Sequence, residues 1–285
     1  MDQHITLSGD LGSGKSTVAR LLSQHVGFEI VASGDVQRTI ATELGLSTLQ
    51  VNWMAEQKSQ IDEKIDGALA NLNEAPEKLI IDARLGWHFV RDSFKIHLLV
   101  DSLVGAQRLL AGRYSAVEEY TTLDDARAAA EARAASERRR FLEKYKVDIV
   151  RLRNYDLVVD TSLASPEQVA ATIIDVLDGH RSEQLFVSPQ RIFPLEHAET
   201  IDGAQSPQLI FVRPFFYLYS GLSALNSAMR DGTALIGASL VAEGDELTPE
   251  GVAAAHLVAA ESNSARWGEW EQLHAFQFDE YPTNR

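Results

Sequence analysis

The chain has 285 residues, 45% of them hydrophobic, a formal net charge of −15 and no cysteine. That length suits about two domains, each with its own core, and the missing cysteines exclude disulfides and thiolate metal sites. An acidic chain repels nucleic-acid phosphate, so DNA or RNA is not an expected partner.

The N-terminus, MDQHITLSGD, has no basic region followed by an apolar stretch, so no signal peptide is expected. No segment reaches the roughly 18 apolar residues of a membrane span. The cytoplasm is therefore the expected compartment, without contact to a membrane. The charge is uneven: from Glu183 onward there are 5 Arg, no Lys and 14 acids, a net of −9.

Residues 4–8 (HITLS) predict a short buried strand. The loop GDLGSGKST follows, and residues 15–25 predict a helix that ends at Gly27. A second strand is expected at 28–32, and Ser33-Gly34-Asp35 should start another helix. Residues 47–72 read as helical, 77–82 and 94–100 as strands three and four, and 101–110 and 124–145 as helices. A fifth strand, YDLVVDT, precedes a helix capped by Ser165 with Pro166 at its first position. Strands alternating with helices predict an α/β fold, a doubly wound five-stranded parallel sheet with helices on both faces and a lid. DGHRSEQ (178–184) reads as a linker, which divides the chain into an α/β domain, 1–182, and a smaller α+β domain, 183–285.

Gly9, Gly14, Lys15 and Ser16 satisfy the phosphate-loop pattern G-x-x-x-x-G-K-[ST], between the expected strand and helix. Glycines let backbone N–H groups surround phosphate oxygens, and the helix N-terminus favours the anion. Lys15 reaches the β- and γ-phosphates, and the Ser16 hydroxyl can ligate Mg²⁺. The loop residues Gly9, Asp10, Gly12, Ser13, Gly14, Lys15, Ser16 and Thr17 are thus candidate ATP ligands. Ligands gather at the carboxyl ends of parallel strands. That places Ser33, Gly34, Asp35 and Arg38 after strand two, and Asp82 and Arg84 after strand three, beside the loop. Asp82 joins Ser16 as a candidate metal ligand. Taken alone, Arg38 is as easily a surface residue and Asp82 a simple cap. A second arginine group, Arg108, Arg113, Arg138, Arg139 and Arg140, is either a charged helix face balanced by Glu131, Glu137 and Glu143 or a lid over the transferring phosphoryl group.

ITLSGDLGSGKSTVARLLSQHVGFEIVASGDVQR, LIIDARLGW, ERRRFLEKYKVDI and NYDLVVDTSLASPEQV together resemble the cytidylate kinases, most closely their archaeal-type branch, over residues 4–178. The resemblance implies ATP- and Mg²⁺-dependent phosphorylation of a nucleoside monophosphate, CMP or dCMP first. It implies that Ser33, Gly34, Asp35 and Arg38 lie on the monophosphate side and that Arg84 holds the acceptor phosphate. Arg108 and Arg113 would lie on the donor and lid side, completed by an arginine near Arg139. Arg84 follows IDA where the family has a glutamate-glycine pair, and the 46–76 segment matches loosely. Two alternatives stay open: a kinase acting on a hydroxyl, with Asp35 as base, and a nucleotide-binding switch.

The C-terminal region carries no catalytic motif. It weakly resembles the domain of ParB proteins in which a strand leads into a G-H-x-R turn, but Leu222 and Ala224 replace the histidine and arginine. It is expected to be a degenerate accessory module, with FFYLY (215–219) either packing on the kinase core or forming a homodimer interface. Trp267 and Trp270 read as helix packing, and His197, His256 and His274 show no metal spacing.

Overall fold

The computed structural model describes residues 3–34, 42, 45, 59–112, 120–196, 198 and 206–282. The chain divides into two compact units, Met1–Leu157 and Val158–Arg285.

The first unit is built on four parallel strands: β1 (His4–Gly9), β2 (Glu29–Ala32), β3 (Leu79–Asp82) and β4 (Ser93–Leu99), in the order β2-β3-β1-β4. Their registers are Ile30↔Ile80, Ile5↔Ile80 and Ile5↔Phe94. Every residue of β1 is buried, as expected of a strand with neighbours on both sides and helices over it. Its polar side chains find partners inside: the Leu79 amide donates to His4 Nδ1 at 3.1 Å, and Ser8 Oγ lies 2.8 Å from His97 Nδ1. The helices are α1 (Lys15–Val26), α2 (Ser59–Asn71), the short α3 (Gly86–Phe89), α4 (Ser102–Ala111) and α5 (Leu123–Tyr145). Gly27 closes α1 in the left-handed region at φ 74°, because a residue without Cβ adopts that conformation cheaply. Asp101 and Thr122 cap α4 and α5 by accepting first-turn amides. Leu69, Leu79, Ile81, Ala83 and Val90 form a core cluster with Val31 and Ile65 packed against it. This is the parallel α/β fold that the alternating pattern predicts.

The second unit holds a mixed sheet. Its strands are β5 (Leu157–Asp160), β6 (Leu185–Val187), β7 (Ile192–Pro194), β8 (Gln208–Val212), β9 (Phe215–Ser220) and β10 (Ile236–Glu243), in the order β5-β6-β10-β8-β9-β7. Its helices are α6 (Pro166–Leu177), α7 (Leu222–Arg230), α8 (Ala254–Glu261) and α9 (Ser264–His274). The Ser165 cap is a full capping box with Gln168. The division falls at 157/158 rather than near residue 183, because β5 pairs in parallel with β6 through Val158↔Leu185. Backbone pairing outweighs the linker-like composition of 178–184. Phe193 centres an aromatic core, stacked on Phe278 at 4.0 Å and edge-on to Trp267 at 4.9 Å. Trp267 and Trp270 are both buried, which agrees with the packing role. Among the described residues no helix is long and apolar enough to cross a membrane.

Candidate active site

The site grows from the end of β1. A Cβ on Gly9 would stand 2.6 Å from the Leu98 carbonyl oxygen, and one on Gly12 would meet Gly105 backbone at 2.5 Å. No side chain fits at either position. Gly12 and Gly14 have φ of 79° and 81°, and Gly14 is the N-cap of α1 with no side-chain cap. The first amides of a helix have no earlier carbonyl of the helix to bond, so this turn sets a positive helix end just beyond β1. A Cβ on Gly14 would meet nothing within 4 Å. The Ser13 hydroxyl is buried in the same loop with no hydrogen-bond partner. An orphaned buried hydroxyl calls for a partner, and a phosphate oxygen supplies one. The loop is anchored by the Asp10 amide on Leu98 O at 2.9 Å and by Arg108 Nη1 on Gly12 O at 3.3 Å. Arg108 therefore stands at the loop. Thr17, one turn into α1, takes a long hydrogen bond from Arg20 at 3.4 Å.

Lys15 is half-buried. Burial lowers its pKa first and the Arg84 charge lowers it further, while Asp82, Asp10 and Glu137 oppose both. Asp82 ends β3 and pairs in register with Leu7 of β1 and Ala32 of β2. Its pKa is raised by burial, against the pull of Lys15, the Ser16 hydroxyl and Arg84. Ser16 Oγ donates to Asp82 Oδ2 at 3.3 Å. One hydroxyl and one carboxylate are the donor set Mg²⁺ takes beside phosphate and water. They fit that ion, and among the described residues no group of three or more His or acidic side chains offers an all-protein metal cage.

Ser33 and Gly34 follow β2 directly and are half-buried. They stand one step past the Ala32–Asp82 pair. Asp35, Arg38 and Arg113 lie outside the described residues, as does His197. Arg84 stands two residues past Asp82, with Nε 3.3 Å from Glu137 Oε2 on α5.

The arginine run of α5 resolves differently from the lid expectation. Arg139 is exposed and is not brought to the site. Arg138 forks onto Asp148 at 2.8 and 2.7 Å, and Arg140 lies 5.1 Å over the Phe141 ring. The reason is helical phase. Phe141 is the buried residue of this stretch, and positions three or four residues apart share its face. Glu137 and Arg138, four and three residues before Phe141, fall on that face, whereas Arg139 is two residues away and exposed. Glu137 is thus the site residue that charge balancing alone missed; its spacing from Phe141 is the signal that finds it.

A family model described as an AAA domain matches residues 5–134. A cytidylate kinase of Methanobrevibacter smithii is 35% identical over 173 residues, which is 61% of this chain and 97% of that protein. The chain belongs to the cytidylate kinase family. A second cytidylate kinase, from Methanothermobacter thermautotrophicus, is 36% identical over 158 residues, covering 55% of this chain and 94% of that protein. An S-adenosylmethionine-dependent nucleotide dehydratase from Lacinutrix mariniflava is 34% identical over 177 residues, but only 36% of that longer protein is covered. The cytidylate kinases are thus matched nearly end to end, by a little under two thirds of this chain.

Proposed function

We propose that the chain, through residues 1–182 and as a member of this family, transfers the γ-phosphoryl group of ATP to the phosphate of a nucleoside monophosphate, CMP or dCMP first. The observation that carries the reading is the convergence of Lys15, Ser16, Asp82 and Arg84 at the carboxyl ends of β1 and β3. Lys15 and the loop amides would bind the donor's β- and γ-phosphates, with Arg108 bracing the loop. Ser16 and Asp82 would hold Mg²⁺, which when bound neutralises the donor phosphates. Arg84 would clamp the acceptor phosphate through its fork, with Ser33, Gly34, Asp35 and Arg38 completing the acceptor side. Arg113 would serve on the lid side.

A phosphate-monoester oxygen is already anionic near neutral pH, so no protein base is required. Catalysis is then positioning plus charge neutralisation. Residues 183–285 form an accessory module on this reading, and the protein works in the cytoplasm.

The test is a panel of ribo- and deoxynucleoside monophosphates with labelled ATP, read by phosphorus NMR. A nucleoside diphosphate product with a cytosine preference is expected. A new phosphomonoester on a hydroxyl would overturn the acceptor class. Nucleotide binding with only slow ATP hydrolysis would make the chain a switch.

A further inference from the structure

The Glu137 carboxylate is 15% exposed and stands in a crevice of cations. Its Oε1 accepts from Arg133 Nε at 3.0 Å. Its Oε2 is 3.3 Å from Arg84 Nε, yet that buried oxygen accepts no hydrogen bond. The same carboxylate is among the charges that Lys15 feels. Glu137 thus neutralises Arg84 without gripping it in a directed bond.

We propose that Glu137 is the internal counter-anion of the acceptor-phosphate site: it occupies the charge position beside Arg84 before the monophosphate arrives, and the phosphate displaces it. The inference rests on the acceptor-site reading of Arg84. A half-buried guanidinium beside Lys15 needs a neighbouring negative charge, which the carboxylate supplies. A dianionic phosphate brings more charge and can accept from both arms of the guanidinium fork. Phosphate and carboxylate at one guanidinium repel each other, so the two compete. A directed bond would have made Glu137 an orienting partner of Arg84; the absence of one at Oε2 makes it a displaceable charge. The specificity that results favours a doubly charged acceptor over a neutral hydroxyl, because only the former repays removal of the counter-anion.

Glu137→Gln keeps the shape and removes the charge. Calorimetric titration of the full chain with inorganic phosphate, and separately with CMP, both without ATP, reads the effect. The variant should bind both ligands roughly three- to tenfold more tightly, the range of a partly exposed ion pair with some burial. The acceptor KM should fall by the same factor. Adding Arg84→Met should abolish the gain, which also separates this site from phosphate taken up by the loop of α1. If the Gln variant fails to fold, Glu137→Met tests the same charge with an apolar chain of similar length. Unchanged or weaker phosphate binding would overturn the proposal, because a residue that orients Arg84 must cost affinity when removed. The phosphate arm involves no nucleotide. Tighter phosphate binding in a chain that phosphorylates no monophosphate would therefore strike the functional reading alone. Turnover on CMP without that tightening would strike the counter-anion alone.

Discussion

The two units each contain a strand that runs through a left-handed glycine into a helix. In the first, β1 leads to Gly14 at φ 81° and then α1; in the second, β9 leads to Gly221 at φ 90° and then α7. Neither glycine is joined by a side-chain cap. A Cβ on Gly14 would meet nothing within 4 Å, whereas one on Gly221 would meet the Pro207 Cα at 2.9 Å and the Ser206 carbonyl at 3.0 Å. The first turn opens onto space and is followed by Lys15. The second is packed against its own chain and followed by Leu222. The same backbone device is a candidate ligand site in one unit and a packing joint in the other. What separates them is the space at the glycine itself and converging charge. The second unit does bury charge, but it is spent internally: Arg191 reaches Asp160 at 3.4 Å and Ser162 Oγ at 2.6 Å.

The comparison breaks first at Lys15. Lys15→Ala removes the charge that stabilises the transferring phosphoryl group, and transfer should fall about 10²- to 10³-fold, with the melting temperature little changed. Near-full activity in the variant would mean that the turn of α1 does not hold the donor. Arg84→Lys comes next. It keeps the charge and loses the fork. Charge-assisted hydrogen bonds contribute about 1.5–3 kcal/mol, so the acceptor KM should rise roughly 10- to 100-fold. Steady-state kinetics with the monophosphate varied at saturating ATP would show it, and an unchanged KM would remove Arg84 from the acceptor side.

Those two residues also mark what could be read from sequence. The phosphate loop was legible because its function is local: nine consecutive residues make the turn, the helix cap and the cation. Asp82 and Arg84 were legible from topology, since strand ends of a parallel sheet meet. Arg108 needed only the helix after β4. Glu137 was not legible by charge counting, because its partner Arg84 is distant in sequence and only the phase set by Phe141 turns it inward. Arg139, two residues from Phe141, is exposed. The unit boundary was misplaced because composition marks a linker at 178–184, while the pairing of β5 with β6 is a long-range fact.

A pair of glycine substitutions sharpens the contrast between the turns. Gly221→Ala puts a Cβ into backbone and holds alanine at a positive φ, a strain of about 1–3 kcal/mol. Its unfolding temperature should drop by several degrees, at roughly 4 °C per kcal/mol for a unit of intermediate size. Transfer per folded molecule should stay within about twofold, since α7 carries no part of the reaction on this reading. Gly14→Ala should do the opposite. It pays only the left-handed backbone term, about 1–2 kcal/mol, but its methyl group stands at the mouth of the phosphate loop, so transfer should fall by about tenfold or more. Thermal scans and kinetics on both proteins decide the matter. If Gly221→Ala were the more damaging to turnover, the α7 turn would be a functional site and the contrast would collapse.

The smallest effect belongs to the best-aligned ion pair. Arg138 and Asp148 form a two-pronged bridge, yet the arginine is half exposed. If converging charge rather than charge itself marks the site, this pair should behave like the self-satisfied charges of the second unit. The Arg138 hydrogen bonds hold the Asp148 carboxyl below its ordinary value of 3.8. A carboxylate with a lowered folded pKa stabilises the fold above its unfolded pKa, and that contribution disappears as pH falls through the folded one. Asp148→Asn should therefore cost about 0.5–1 kcal/mol at neutral pH, discounted for solvent screening, and leave kcat and the acceptor KM unchanged. The stability gap between wild type and variant should close on acidification through the lowered Asp148 pKa, as read by denaturant titrations at a series of pH values. A gap that persisted in acid would trace the effect to the amide hydrogen bond from Val150 rather than to the ion pair. A change in acceptor KM would show that Arg138 itself reaches the acceptor, so that its charge converges on the site after all.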